Sequence, residues 1–277
     1  MAAGVAPVIS TECLNKQLKN RSSSVTVLDT TWFSSKDAMS EVFSKKHIMN
    51  ASFFDLMFGV QNSKVYPRNL PSQRMFEINV RGSAVNTDSH VVLYDATGKC
   101  GFFTAGRVWW MFKLFGHENV SVLDGGLEKW VANGYETTNM SLKKREGDFS
   151  VKGINEVWIK RFDDMKDNLT SKNFQVCDSR TNELYKHGHY PGSVNIPFFS
   201  LMSEETRSLK SVSQLKNIFA DTGIDLTKPI VTICNSGMSS CTLALVAHMC
   251  GCPHVAVYQG GITEWKFKGG PLLECEI

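Results

Sequence analysis

Val120-Ser121-Val122-Leu123-Asp124-Gly125-Gly126-Leu127-Glu128-Lys129-Trp130 returns in the second half of the chain as Val255-Ala256-Val257-Tyr258-Gln259-Gly260-Gly261-Ile262-Thr263-Glu264-Trp265. Each copy is a short apolar run of strand-forming residues, one polar side chain, a glycine doublet, and a stretch that closes on tryptophan. Two copies of so particular a pattern indicate an internal duplication.

The repeat extends upstream. Val91-Val92-Leu93-Tyr94-Asp95 pairs with Ile230-Val231-Thr232-Ile233-Cys234, and each is followed by a small-residue loop and an apolar helical stretch. Earlier still, Val25-Thr26-Val27-Leu28 ends in Asp29, and Phe174-Gln175-Val176-Cys177 ends in Asp178. His47 and His189 then each introduce an apolar segment. Short, fully apolar strands alternating with helical stretches predict parallel sheets covered by helices on both faces, so each half is expected to be an α/β unit. The sequence is therefore read as an N-terminal domain over 1–138, a polar linker over 139–155 holding Lys143-Lys144-Arg145, and a C-terminal domain over 156–277.

Bulk properties narrow the function. The 277 residues are 42% hydrophobic and 21% charged, the composition of a globular protein long enough for two cores. No apolar run approaches the ~18 residues of a membrane helix, so no membrane partner is expected. The net charge of +3 is scattered, which argues against nucleic acid. Met1 to Ser10 has the pattern of neither a signal peptide nor a transit peptide, which favours the cytosol and leaves the mitochondrion open. Eight cysteines without a secretion signal read as reduced thiols.

Cys234-Asn235-Ser236-Gly237-Met238-Ser239-Ser240 leaves a buried strand and enters a helical stretch read as Cys241 to Met249. A loop of small residues can turn successive backbone N–H groups inward, and a helix N-terminus adds about half a positive charge. Such donors favour the thiolate, the nucleophilic form of cysteine, and equally a persulfide built on the same sulfur. The bland reading is a small apolar residue at a strand end. Against it, Asp95 fills the matching position in the first half, so packing does not demand cysteine there.

On these motifs the chain resembles the tandem-domain sulfurtransferases, the rhodanese and 3-mercaptopyruvate sulfurtransferase family. The likeness rests on Gly106-Arg107-Val108-Trp109-Trp110-Met111-Phe112, Phe115-Gly116-His117 and the first glycine doublet. It continues through Asp178-Ser179-Arg180, Gly188-His189-Tyr190-Pro191-Gly192-Ser193-Val194-Asn195-Ile196-Pro197 and the Cys234 loop. It implies two rhodanese-like domains, an inactive first domain, and Cys234 as the nucleophile that carries sulfur as a persulfide. Asn235, Ser236, Gly237, Met238, Ser239 and Ser240 would form its anion cradle. The implied donor is a small anion, thiosulfate or 3-mercaptopyruvate. The acceptor is cyanide or a thiol, such as thioredoxin or a small thiol, and no metal or organic cofactor is required.

The loop is similar to the Cys-Gly-Ser-Gly-Val-Thr-Ala of mercaptopyruvate enzymes, with Ser236 as the carried-over serine. Other positions depart. The segment Thr181 to Gly188 is shorter than the family's loop, Leu184 stands where one donor-binding arginine aligns, and a second arginine has no counterpart. Arg180 or Lys186 is left to take that part. Arg68 replaces the family's histidine and Met57 its aspartate, so Arg68 becomes a candidate for holding the donor.

Three other readings follow from residue types alone. The departures leave a non-catalytic or regulatory binding module as the alternative function. A cysteine-loop phosphatase would need arginine at the sixth residue after the cysteine, where Ser240 stands. His248, Cys250, Cys252 and His254 lie close in sequence, but their spacing is not that of a zinc site.

Overall fold

The structure is a computed structural model that describes residues 5–20, 24–33, 36–140, 144–203 and 205–275. Lys143 and its neighbours 141–142 in the linker, and residues 1–4 of the N-terminal segment, lie outside this set. Two compact units emerge, one formed by Met1–Gly59, Pro71–Ile154 and Glu204–Leu209, the other by Val60–Leu70, Asn155–Ser203 and Lys210–Ile277. Neither is a single run of chain: two short segments cross between the halves read from the sequence, and the stretch read as a linker falls in the first unit up to Ile154. Such segments carry no periodic pattern by which a sequence could assign them.

In the first unit the strands are β1 (Val8–Ile9), β2 (Val25–Asp29), β3 (His47–Ile48), β4 (Ser52–Phe53), β5 (His90–Tyr94), β6 (Val120–Leu123) and β7 (Thr137–Thr138). Five of them form a sheet in the order β1-β6-β5-β2-β4, and every pairing is parallel. β3 pairs with β7 antiparallel. The helices are α1 (Thr11–Lys19), α2 (Lys36–Lys45), α3 (Gln73–Gly82), α4 (Phe103–Leu114) and α5 (Gly126–Ala132).

The second unit holds β8 (Ile159–Lys160), β9 (Gln175–Asp178), β10 (Ser193–Asn195), β11 (Ile230–Ile233) and β12 (Val255–Tyr258). Its helices are α6 (Phe162–Ser171), α7 (Asn182–Lys186), α8 (Val212–Asp221), α9 (Ser239–Met249) and α10 (Gly261–Phe267). The sheet runs β10-β9-β11-β12-β8, again all parallel. Read from the β4 and β10 edges, the two sheets have one topology, with β5 and β11 in the middle.

The strands form because β-branched side chains fit a pleated surface buried on both faces. Val91, Val92 and Leu93 of β5 and Ile230, Val231 and Ile233 of β11 are accordingly out of solvent. Helices α4 and α9 are apolar on nearly all sides, and both are buried almost throughout. In α4, Arg107 is buried with its guanidinium 4.7 Å from the Trp110 ring centre, a place in the packing of the first unit. Serine caps open several other helices: Ser10 accepts from the Cys13 N–H, and Ser211 forms a capping box with Gln214.

Part of the linker is tied to the first unit. Gly147 N–H donates to Arg81 C=O, Phe149 N–H donates to Val85 C=O, and the Phe149 ring meets Phe76 and Phe112 edge-on. Asp29 and Asp178 each turn a carboxylate oxygen back to the N–H two residues on, at Thr31 and Arg180. His47 and His189 place Nδ1 at the carbonyls of Phe43 and Tyr185.

The glycine doublets have a specific cause. At Gly126, with φ at +55°, a Cβ would sit 2.4 Å from the Asp95 carbonyl oxygen. At Gly261, φ is +61° and a Cβ would sit 2.4 Å from the carbonyl oxygens of Cys234 and Asn235. Only glycine lets α5 and α10 begin against those loops. The Gly261→Ala variant should therefore lose about 1–3 kcal/mol of stability through left-handed strain and overlap. Gly82→Ala, in open space within a helix, should be neutral or slightly stabilising; urea titration of both variants checks the contrast.

Burial pushes the Asp29 carboxyl up to about 6, above the ordinary carboxylate range. The folded chain thus holds this proton more tightly than the unfolded chain, and stability is lost as pH rises from about 4 through 6. Relative to the parent, Asp29→Asn should gain up to ~3 kcal/mol across that window and show a flat difference above about pH 7. Urea midpoints of both proteins at pH 4.5 and 7.5 give the comparison.

Candidate active site

Cys234 lies at the carboxyl end of β11, the middle strand, where an open parallel sheet presents its ligands. Its side chain is buried. The N–H groups of Gly237 and Met238 donate to Sγ at 3.1 and 3.3 Å, and the Ser240 hydroxyl lies 3.3 Å from the same sulfur. The turn depends on Gly237 at φ +77°, followed by Met238 at φ −100° and ψ −80°.

That reversal is tight enough for α9 to start at Ser239, two residues before the start read from the sequence. Ser239 and Ser240 therefore form the first turn of the helix. The Ser239 hydroxyl meets that of Ser179 at 2.8 Å. Thr232 donates its hydroxyl to the Ser240 carbonyl at 2.8 Å, holding the turn against β11. From below, the Cys241 thiol donates to the Gly237 carbonyl at 3.2 Å.

Ser236 is also buried, and its hydroxyl accepts from Arg68 Nη1 at 2.6 Å. Arg68 belongs to the Val60–Leu70 segment of the same unit. Two further contacts hold that segment. Gln259 Nε2 donates to the Arg68 carbonyl at 3.1 Å, and the Tyr66 hydroxyl donates to Glu264 Oε1. Glu264 is buried on α10 and pairs with Lys268 at 2.6 Å. Burial, and then the Glu264 carboxylate, push the Tyr66 phenol above its ordinary pKa. Met57, in the other unit, donates its N–H to the Asp55 carboxylate.

The matching position in the first unit carries a resident anion. Asp95 Oδ2 accepts from the Thr104 N–H and hydroxyl and the Ala105 N–H, and Oδ1 accepts from the Thr97 N–H and hydroxyl. Thr104 and Ser240 are each the second residue of their helix, and each points a hydroxyl at the group ending the middle strand.

Beside the Cys234 loop a cavity of about 320 Å³ is lined by Asn235, Arg180, Leu184, His187 and the first two turns of α10. Arg180 reaches it with its charge already engaged. Nε and Nη2 donate to Asp178, and Nη2 also donates to the Gly188 carbonyl at 2.9 Å. Lys186 is exposed on α7 and does not line the cavity. Lys266 does, a residue the sequence reading passed over. Its signal was helical spacing, since it follows Ile262 by four positions in the stretch that the glycine doublet docks on the loop.

Among the described residues no group of three or more His, Cys, Asp or Glu side chains could hold a metal ion. His248 packs edge-on against Trp158, and the Cys252 thiol donates to the Lys228 carbonyl at 3.4 Å, so that run is not gathered into a site. No described helix is long and apolar enough to cross a membrane.

The Rhodanese-like domain model matches the chain twice, over residues 11–133 and 162–268. Thiosulfate sulfurtransferase of Gallus gallus is 38% identical over 256 residues, 88% of this chain and 87% of that protein. For 3-mercaptopyruvate sulfurtransferase of Homo sapiens the identity is 36% over 259 residues, covering 88% and 86%. Among solved structures, the 3-mercaptopyruvate sulfotransferase SseA from Escherichia coli superposes with a TM-score of 0.82 at 26% identity, covering 93% of this chain and 99% of that one. The chain belongs to the rhodanese family of tandem-domain sulfurtransferases, a class of enzymes.

Proposed function

We propose that the protein moves sulfane sulfur from thiosulfate or 3-mercaptopyruvate to a thiol or cyanide through a persulfide on Cys234. The observation that carries this reading is the pair of N–H donors and the hydroxyl converging on Cys234 Sγ. The equivalent point of the first unit holds a carboxylate by the same kinds of donor, N–H groups and hydroxyls. A place built for an anion suits both a thiolate and a persulfide.

With thiosulfate, the Cys234 thiolate attacks the outer sulfur. The donor's S–S bond breaks with its electron pair on sulfite, and the Cys234 persulfide anion forms. With 3-mercaptopyruvate the C–S bond breaks, its electron pair goes to carbon, and that carbon takes the thiol proton to give pyruvate. An acceptor thiolate or cyanide then attacks the terminal sulfur and returns the Cys234 thiolate. Thioredoxin or a small thiol is the acceptor class we favour, in a cytoplasmic setting. The duplicated domains are taken as 1–138 and 156–277, with 139–155 between them.

Mass spectrometry of the reduced protein, incubated separately with each donor, tests the reading. One extra sulfur should map to Cys234, be removed by thiol, and be absent from Cys234→Ser. Loading that persists in Cys234→Ser would refute the assignment. The second reading, a binding module without turnover, is favoured by Leu184 on the cavity wall and by the pairing of Arg180 with Asp178. Failure of both donors to load would select it.

Arg68 holds Ser236 in the cradle and brings a fork of N–H donors to the loop. Arg68→Ala should raise the donor KM about tenfold, the loss of one charge-assisted hydrogen bond. An unchanged KM in steady-state assays would remove Arg68 from donor binding.

A further inference from the structure

Among the described residues, none on the wall of the cavity beside Asn235 is acidic. It has an arginine, a lysine and a histidine, and their commitments differ. Arg180 is neutralised by a buried bidentate pair with Asp178. His187 spends Nδ1 on the Glu183 carbonyl at 2.8 Å. Lys266 is the uncommitted cation, with no hydrogen bond or ion pair from its side chain among the described residues.

The position of Lys266 is fixed by the backbone that holds the nucleophile's loop. Ile262 N–H donates to the Cys234 carbonyl at 2.8 Å, and Thr263 N–H donates to the Asn235 carbonyl at 3.1 Å. Lys266 lies four and three residues beyond these two along α10, so all three share one helix face and all three line the cavity. From α7, Leu184 contributes an apolar surface to the same wall.

We propose that Lys266 is a specificity-determining residue, and that its ammonium binds the anionic end of the sulfur donor, carboxylate or sulfonate, in this cavity. The proposal rests on the sulfurtransferase reading and deepens it. A lysine is a mobile point charge without the planar fork by which arginine selects a carboxylate. The site should therefore hold tetrahedral sulfonate and planar carboxylate with similar strength. Binding should also weaken with salt, because the ammonium is exposed.

The test is steady-state kinetics of the full chain with both donors, run beside Cys234 loading. Lys266→Met should raise the KM of each donor about tenfold, change kcat less than twofold, and still load fully at saturating donor. Lys266→Arg should keep the thiosulfate KM within twofold of the parent and lower that of 3-mercaptopyruvate, because its planar fork favours the carboxylate. Lys216→Met removes the same charge from α8 and should change nothing. Adding Leu184→Arg to Lys266→Met should recover most of the lost affinity, because charge returns to the same wall. If the parent loads and Lys266→Met keeps the parent KM, the proposal for Lys266 is overturned while the sulfurtransferase reading stands. If the parent fails to load with either donor, both are overturned.

Discussion

The close approach of α10 to the Cys234 loop governs the rest of the site. With no Cβ at Gly261, the helix backbone reaches the carbonyls of Cys234 and Asn235, and the N–H groups of Ile262 and Thr263 bond to them. Those carbonyls are thereby held toward α10. The N–H groups of Gly237 and Met238, later in the same loop, are left to point at the sulfur. One steric requirement thus orients both sides of the loop. It also carries Lys266, on the same helix face, to the wall of the neighbouring cavity.

The duplicated unit uses this frame for a different end. Gly126 admits α5 against the Asp95 carbonyl, and Leu127 N–H donates to that oxygen at 3.3 Å. The strand there ends in a carboxylate whose two oxygens are already engaged by threonine side chains and backbone donors. An anion supplied by the chain fills that well in the first unit. In the second unit the same point carries the Cys234 sulfur, met by two N–H groups and a hydroxyl.

Around the cradle, polar groups are held by other polar groups rather than left to solvent. Glu264 is buried yet meets both Tyr66 and Lys268, and Arg68 is anchored at its carbonyl by Gln259 and at its guanidinium by Ser236. A buried carboxylate without such partners would carry a heavy desolvation cost. Together these contacts keep the Val60–Leu70 segment packed in the second unit, although it is far from Cys234 along the chain.

The sequence by itself determined the duplication, the parallel α/β architecture and the loop around Cys234. These follow from local signals: fully apolar strands, small residues after a strand, glycine doublets and tryptophan at matched spacing. Tertiary structure alone decided what meets that loop. Arg180 reads as a free cation in the chain, but its guanidinium is spent on Asp178 two residues away. Lys186 was as eligible as Lys266 in composition, yet it faces solvent on α7 while α10 brings Lys266 to the cavity. The bond from Arg68 to Ser236 joins residues distant in sequence. Side-chain charge is written in the sequence, whereas the partner that neutralises it, or leaves it available, depends on how separate strands and helices pack.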